Sequence, residues 1–87
     1  MVEQINEPIS VLAVFEPRHG NSLKVTPYRI KWRGHDYNLT TKGLHHPRRD
    51  GAKRVHVFQF SAGNTAFRVE LDPDSLEWTL KEVWYGD

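Results

Sequence analysis

The chain has 87 residues, with 12 Lys and Arg against 11 Asp and Glu, a formal net charge of +1 and no cysteine. We therefore expect one small domain over residues 1–87, because a chain of this size buries only roughly 60–65% of its unfolded surface. The lack of cysteine excludes disulfides and thiolate sites. The lack of a long apolar run or basic-then-apolar leader favours a cytoplasmic protein without a membrane partner.

The first part of the chain predicts two strands. Residues 1–8 (MVEQINEP) are polar and suggest a loose N-terminal arm or a short lead-in. Residues 9–15 (ISVLAVF) are rich in β-branched side chains and predict a strand that Pro17 stops. Residues 23–33 alternate in polarity and predict a second strand. Because Pro27 cannot donate a ladder hydrogen bond, the stretch before it is an edge segment or a bulge.

Two tight-turn signals predict hairpins. A two-residue loop at Gly34-His35 would place Trp32 opposite Tyr37 on a return strand over 36–44. Residues 42–53 (KGLHHPRRDGAK) then have the composition of the longest loop. A loop at Gly63-Asn64 would join strands 54–60 and 65–72, with three opposed pairs on one face: Phe60 and Phe67, Phe58 and Val69, His56 and Leu71.

The last segment predicts a turn at 72–75 (DPDS) and a strand over 77–85 (EWTLKEVWY). Its apolar residues change parity, which indicates a bulge or a strand covered on both faces. A helix is the alternative, since Leu76, Leu80 and Val83 are near helical spacing. We predict an all-β fold of about six antiparallel strands, a meander curled into a half-open barrel. The predicted core is Trp32, Tyr37, Phe58, Phe60, Phe67, Val69, Leu71, Trp78 and Leu80.

Positive charge is concentrated in residues 42–56. These residues form a candidate nucleic-acid contact, because arginine and lysine neutralise phosphates. The other interpretation is a solvated loop that keeps a small sheet soluble. The candidate nucleic-acid residues are Lys42, Arg48, Arg49, Lys53 and Arg54, which the outward Arg29, Lys31 and Arg33 could extend into a stripe.

No catalytic, metal or cofactor signature is found in the sequence. His45 and His46 are adjacent, so on an extended segment they point in opposite directions and cannot share one ion. The acidic residues cluster at the 72–75 turn and on the last strand, without a second titratable group converging on them. We therefore expect no cofactor, no metal and no enzymatic activity. The aromatic rings are needed for the core, except Trp84 and Tyr85, which are candidate partner-binding residues.

The aromatic and glycine spacing resembles a known family. Residues 32–39 (WRGHDYNL) match a W-x-G-x-x-Y-x-[VLI] hairpin, followed by 67–69 (FRV) and a closing DP…WTLKEVW. Over residues 28–87 the chain is similar to a family of short, uncharacterised bacterial β domains. Some members lie beside or are fused to translesion DNA polymerases, which implies an accessory role near DNA and no known activity. The family has a tryptophan after the first hairpin where this chain has His45-His46-Pro47.

Three functions follow as hypotheses. The first is a non-enzymatic interaction module that contacts a protein partner or a second copy through an exposed strand edge and Trp84 and Tyr85. The alternative is a nucleic-acid-binding accessory domain that uses the basic residues. A third hypothesis is a small-molecule binder in the mouth of the curled sheet.

Overall fold

The computed structural model describes residues 2–17, 23–39, 45–51 and 53–86, and these form seven strands without a helix. All neighbouring strands are antiparallel, in the order β3-β2-β1-β7-β6-β5-β4. The strands are β1 (Val2–Pro17), β2 (Leu23–Trp32), β3 (His35–Asn38), β4 (His45–Asp50), β5 (Lys53–Ala62), β6 (Thr65–Leu71) and β7 (Trp78–Tyr85).

The predicted meander, curled into a half-open barrel, is confirmed. Strands adjacent in sequence pair with each other except β3 and β4, which are the two ends of the sheet order. Because β1 also pairs with β7, the sheet is continuous elsewhere, and the opening lies between β3 and β4. The helical alternative for the last segment is wrong, because residues 78–85 form β7.

The predicted loop over 42–53 contains an additional strand, β4, which pairs with β5 from His45 opposite Phe58 to Asp50 opposite Lys53. Gly51, with a φ of +68°, begins the connecting turn. The sequence HHPRRD lacks alternating apolar residues, so its pattern did not indicate a strand. Proline and charged residues are nevertheless typical of edge strands, and β4 is at one end of the sheet order.

The N-terminal residues belong to β1 rather than to a loose arm. Residues 2–9 pair with β7, and residues 10–17 pair with β2. A straight strand of this length would extend about 50 Å, whereas the longest dimension of the molecule is 42 Å. The strand bends at an irregularity between Gln4 and Glu7, where Asn6 has a φ of +55°. Both halves of β1 therefore contribute to the barrel.

The first hairpin has a different register from the predicted one. Its two-residue loop is Arg33-Gly34, so Trp32 lies opposite His35, and Tyr37 opposite Ile30. Both loop residues have positive φ, at +52° and +78°, which is the sign pattern of a type I′ turn. The shift of two residues leaves each side chain on its predicted face, and the Trp32 and Tyr37 ring centroids are 6.4 Å apart.

The second hairpin has the predicted register in all three pairs: Phe60 and Phe67, Phe58 and Val69, His56 and Leu71. Here glycine comes first in the loop, with Gly63 at a φ of +61°.

Two bulges explain the irregular sequence patterns. In β2, Leu12 of β1 lies opposite Arg29 and Ala13 lies opposite Pro27, which makes Tyr28 the extra residue. In β7, Lys81 is the extra residue opposite β6, so inward positions change from Leu80 to Val83. The stretch before Pro27 was predicted to be an edge segment or a bulge. It pairs regularly with β1, and no described strand pairs with its other side, so the edge segment is correct and the bulge at Tyr28 follows Pro27. Of the two alternatives for the last strand, the bulge is confirmed.

The core lies on the concave face of the curled sheet, and the predicted core is confirmed. Tyr37 is half-buried and packs against the core, and the other eight predicted residues are buried. Phe67 and Tyr37 meet edge to face at 5.1 Å between ring centroids. Val25, Ile30 and Val83 complete the buried cluster.

Candidate interaction surfaces

The basic residues of β2 do not form one stripe. Arg29 and Lys31 are exposed, on the face of the strand opposite the buried Ile30, and Arg29 Nε donates a hydrogen bond to Asn38 Oδ1 at 3.0 Å. Arg33 is in the hairpin turn, where its guanidinium pairs with Glu7 at 2.7 Å. A positive charge already paired in this way is less available to a phosphate than a free one.

The other basic candidates are on distant strands. Arg48 and Arg49 are on β4, with their backbones in register with Val55 and Arg54. In the sheet order, β1, β7 and β6 separate β2 from β5. Lys53 begins β5, and Lys42 lies outside the described residues. The basic residues of β2 and those of β4 and β5 therefore do not lie on adjacent strands of the sheet.

A cluster of hydrogen-bonded side chains links β1, the β2–β3 hairpin and the end of β7. Its members, which we call the polar cluster, are Glu3, Glu7, Trp32, Arg33 and Tyr85. Glu7 accepts hydrogen bonds from Arg33 Nη2 at 2.7 Å and from Trp32 Nε1 at 3.0 Å. These bonds, that from Arg33 foremost, hold the pKa of Glu7 below its ordinary value. The Arg33 guanidinium carbon also lies 4.6 Å from the centre of the Trp32 ring. The cluster thereby joins the first half of β1 to the β2–β3 turn.

Trp84 and Tyr85 have different surroundings. Trp84 is half-buried and lies between Val2 of β1 and Ala66 of β6. Tyr85 is 42% exposed, and its hydroxyl donates a hydrogen bond to Glu3 Oε2 at 3.0 Å. Desolvation, followed by this bond, raises the pKa of Tyr85. Of the two candidate partner-binding rings, only that of Tyr85 is exposed.

The 72–75 turn uses its polar side chains locally. Asp72 Oδ1 accepts from the backbone N–H of Asp74 at 2.9 Å, and Ser75 Oγ accepts from that of Glu77 at 3.3 Å. Such bonds are the ordinary role of these residues in turns. Of the described His, Asp and Glu side chains, no three lie close enough together to hold a metal ion.

One edge of β1 is the surface that the residue patterns did not locate. Residues 10–16, which we call the open edge, pair with β2 on one side, and no described strand pairs with their other side. Three apolar side chains on this segment are exposed: Leu12 at 58%, Val14 at 43% and Phe15 at 43%. The apolar run 9–15 predicted the strand, but a single sequence does not show that β7 begins beside Ile9 and therefore does not pair with residues 10–16.

No protein-family model, curated protein or solved structure matches the chain. The resemblance to the family of bacterial β domains therefore stays a prediction. The described residues contain no helix long and apolar enough to cross a membrane.

Proposed function

We propose that this protein is a non-enzymatic interaction module, which binds a protein partner or a second copy of itself by adding a strand to the open edge. The observation that carries the proposal is the combination, on one segment, of a backbone edge that no described strand pairs with and the exposed Leu12 and Val14. An unpaired strand presents N–H and C=O groups that an extended peptide can satisfy, while alternate side chains provide specificity.

The open edge supports this proposal better than Trp84 and Tyr85 do. Tyr85 already donates its hydroxyl proton to Glu3, and Trp84 is half-buried within the sheet. Both lie beside the first residues of β1, at the opposite end of that strand from residues 10–16. We therefore place the contact on the open edge alone.

The alternative proposal is a nucleic-acid-binding accessory domain. Arg29 and Lys31 are exposed cations, but three strands lie between them and Arg54 in the sheet order. The charge-paired Arg33 further reduces the free positive charge on this side. Salt-sensitive binding of an oligonucleotide that is weakened by Lys31→Ala would favour this alternative.

A selection of displayed random peptides against the protein tests the interaction module. We expect extended peptides with alternating apolar residues, whose binding shifts the NMR amide signals of residues 10–16. Leu12→Lys should weaken this binding about tenfold or more, because it places a charge in the apolar contact.

Val2→Lys is the matched control, since Val2 is 47% exposed at the opposite end of β1, where it pairs with Trp84, and Leu12 is 58% exposed. Equal peptide binding by the Leu12 variant would contradict the proposal. So would the absence of both peptide binding and self-association in the wild-type protein.

A further inference from the structure

We infer that the partner of the open edge is a second copy of this chain, paired antiparallel about a twofold axis that passes beside Ala13. This inference rests on the proposed function and names the partner of the same surface. The result would be a continuous sheet in which β2 and β1 of one copy are followed by β1 and β2 of the other.

The composition of the open edge favours a partner that is always present with the protein, such as a second copy. Natural edge strands avoid unwanted pairing with lysine, proline or inward-facing charges. Residues 9–16 (ISVLAVFE) contain no lysine, arginine or proline, and their one charge is Glu16 at the end. Pro8 and Pro17 flank this segment on both sides. A second copy is present wherever the protein is present, so it can cover such an edge without another component.

The apolar residues of the segment are self-complementary in one register. Antiparallel pairing about a perpendicular twofold axis keeps each side chain on its own face, so the register is centred on one residue. Centred on Ala13, it places Leu12 opposite Val14 of the second copy, and Val11 opposite its Phe15. Centring on Leu12 would place Val14 opposite Ser10, and centring on Val14 would place Leu12 opposite Glu16. Only the first register pairs all the exposed apolar residues with apolar residues.

Charges on the outer face favour the same register. Centred on Ala13, Glu16 lies opposite Ser10 of the second copy, and Ser10 lies opposite Lys31 within that copy. Glu16, Ser10 and Lys31 are all exposed. Strands are about 4.8 Å apart, so lysine and glutamate side chains can meet across the small serine. The twofold axis produces two such Glu16–Lys31 contacts in each dimer.

A charge-reversal experiment tests this arrangement by sedimentation equilibrium. We expect wild-type protein to show a monomer–dimer equilibrium with a Kd on the order of micromolar, since a single strand edge is a small interface. Glu16→Lys alone, or Lys31→Glu alone, should raise the Kd about tenfold, because each places like charges at both contacts. An equimolar mixture of the two variants should recover the wild-type Kd, because the mixed dimer restores opposite charges at both contacts.

A cysteine variant tests the position of the axis. The chain has no cysteine, so Ala13→Cys introduces a single thiol. Directly opposed residues of antiparallel strands have Cα atoms about 4.5–5.5 Å apart, within the range of a disulfide. Ala13→Cys should therefore form a covalent dimer rapidly under mild oxidation. Val11→Cys, displaced from its own copy by four residues along the strand, should form it slowly, and circular dichroism would verify that both variants are folded.

Three results would overturn the inference. The first is a wild-type protein that stays monomeric at about 0.5 mM, far above the expected micromolar Kd. The second is a dimer whose mixed variants show no recovery, and the third is equal cross-linking at positions 11 and 13. The proposed function has a separate outcome. If the protein is monomeric yet binds extended peptides at residues 10–16, the interaction module stands and only the second copy is excluded as its partner.

Discussion

At the scale of single residues, Leu76 has the least favourable backbone conformation for its side chain. Its φ is +62°, and its N–H donates to the Asp72 carbonyl at 2.7 Å, so the turn itself requires this conformation. Leucine there costs roughly 1–2 kcal/mol, and the side chain is 60% exposed, so little burial offsets the cost. We expect Leu76→Gly to raise the free energy of unfolding by about 0.5–1 kcal/mol, measured by urea denaturation.

Leu76→Ala is the control for that substitution, because alanine removes the same exposed side chain but keeps the Cβ atom. It should leave the free energy of unfolding within about 0.5 kcal/mol of the wild-type value. A glycine variant no more stable than the alanine variant would contradict the assignment of strain to this residue.

His56 predicts how stability depends on pH. Burial, and then the nearby Arg54, lowers the pKa of His56 below its ordinary value of 6.5. The unfolded chain therefore binds more protons than the folded protein between the lowered pKa and about 6.5. The contribution of His56 to the free energy of unfolding should be fully present above pH 6.5 and should decrease as the pH falls below that value.

The measurement is the urea midpoint at pH 7.5 and at pH 5.5. His56→Gln should lose less stability than wild type over this interval, whereas His35→Gln, at an exposed position beside the first turn, should behave as wild type. An equal loss of stability in wild type and the His56 variant would show that His56 does not contribute to it.

At the scale of elements, the two hairpins show what glycine position can and cannot predict. Gly63 comes first in its loop and Gly34 comes second, although both sequences have one glycine between alternating apolar residues. A glycine at either the first or the second loop position is compatible with a tight hairpin turn, so the sequence predicts the turn but not which two residues form it. Because the error is two residues, the faces of the first hairpin were predicted correctly while its partners were not.

The sequence predicted which residue types are exposed at the candidate sites, but not which partners those residues contact. Exposed cations on β2 follow from alternation, but the pairing of Arg33 with Glu7 depends on residues 2–8 joining the sheet. Likewise, the parity change in the last strand predicted either a bulge or a strand covered on both faces, because an apolar face must stay on the core. The structure has the bulge, at Lys81. The open edge depends on where β7 begins beside β1, which is a long-range contact that local pattern does not contain.

At the scale of the whole molecule, the curl of the sheet depends on contacts between strands that are not neighbours. Tyr37 on β3 meets Phe67 on β6 at 5.1 Å, although β2, β1 and β7 lie between these strands in the sheet order. Phe67 is fully buried and also lies opposite Phe60, with 6.4 Å between ring centroids. One ring thus joins the edge strand β3 to the opposite wall of the half-open barrel.

Phe67→Ala should therefore lower the free energy of unfolding by about 3–5 kcal/mol, close to the total of roughly 5 kcal/mol expected for so small a domain. Urea denaturation, at a concentration where the protein is monomeric, would measure the loss. Phe15→Ala is the matched control, since it removes the same ring from a position that is 43% exposed, and it should cost about 1 kcal/mol. If Phe67→Ala keeps a cooperative transition near the wild-type midpoint, the sheet does not depend on this ring for its closure. If the two variants lose equal free energy of unfolding, the Tyr37–Phe67 contact across the barrel does not stabilise the fold more than an exposed ring does.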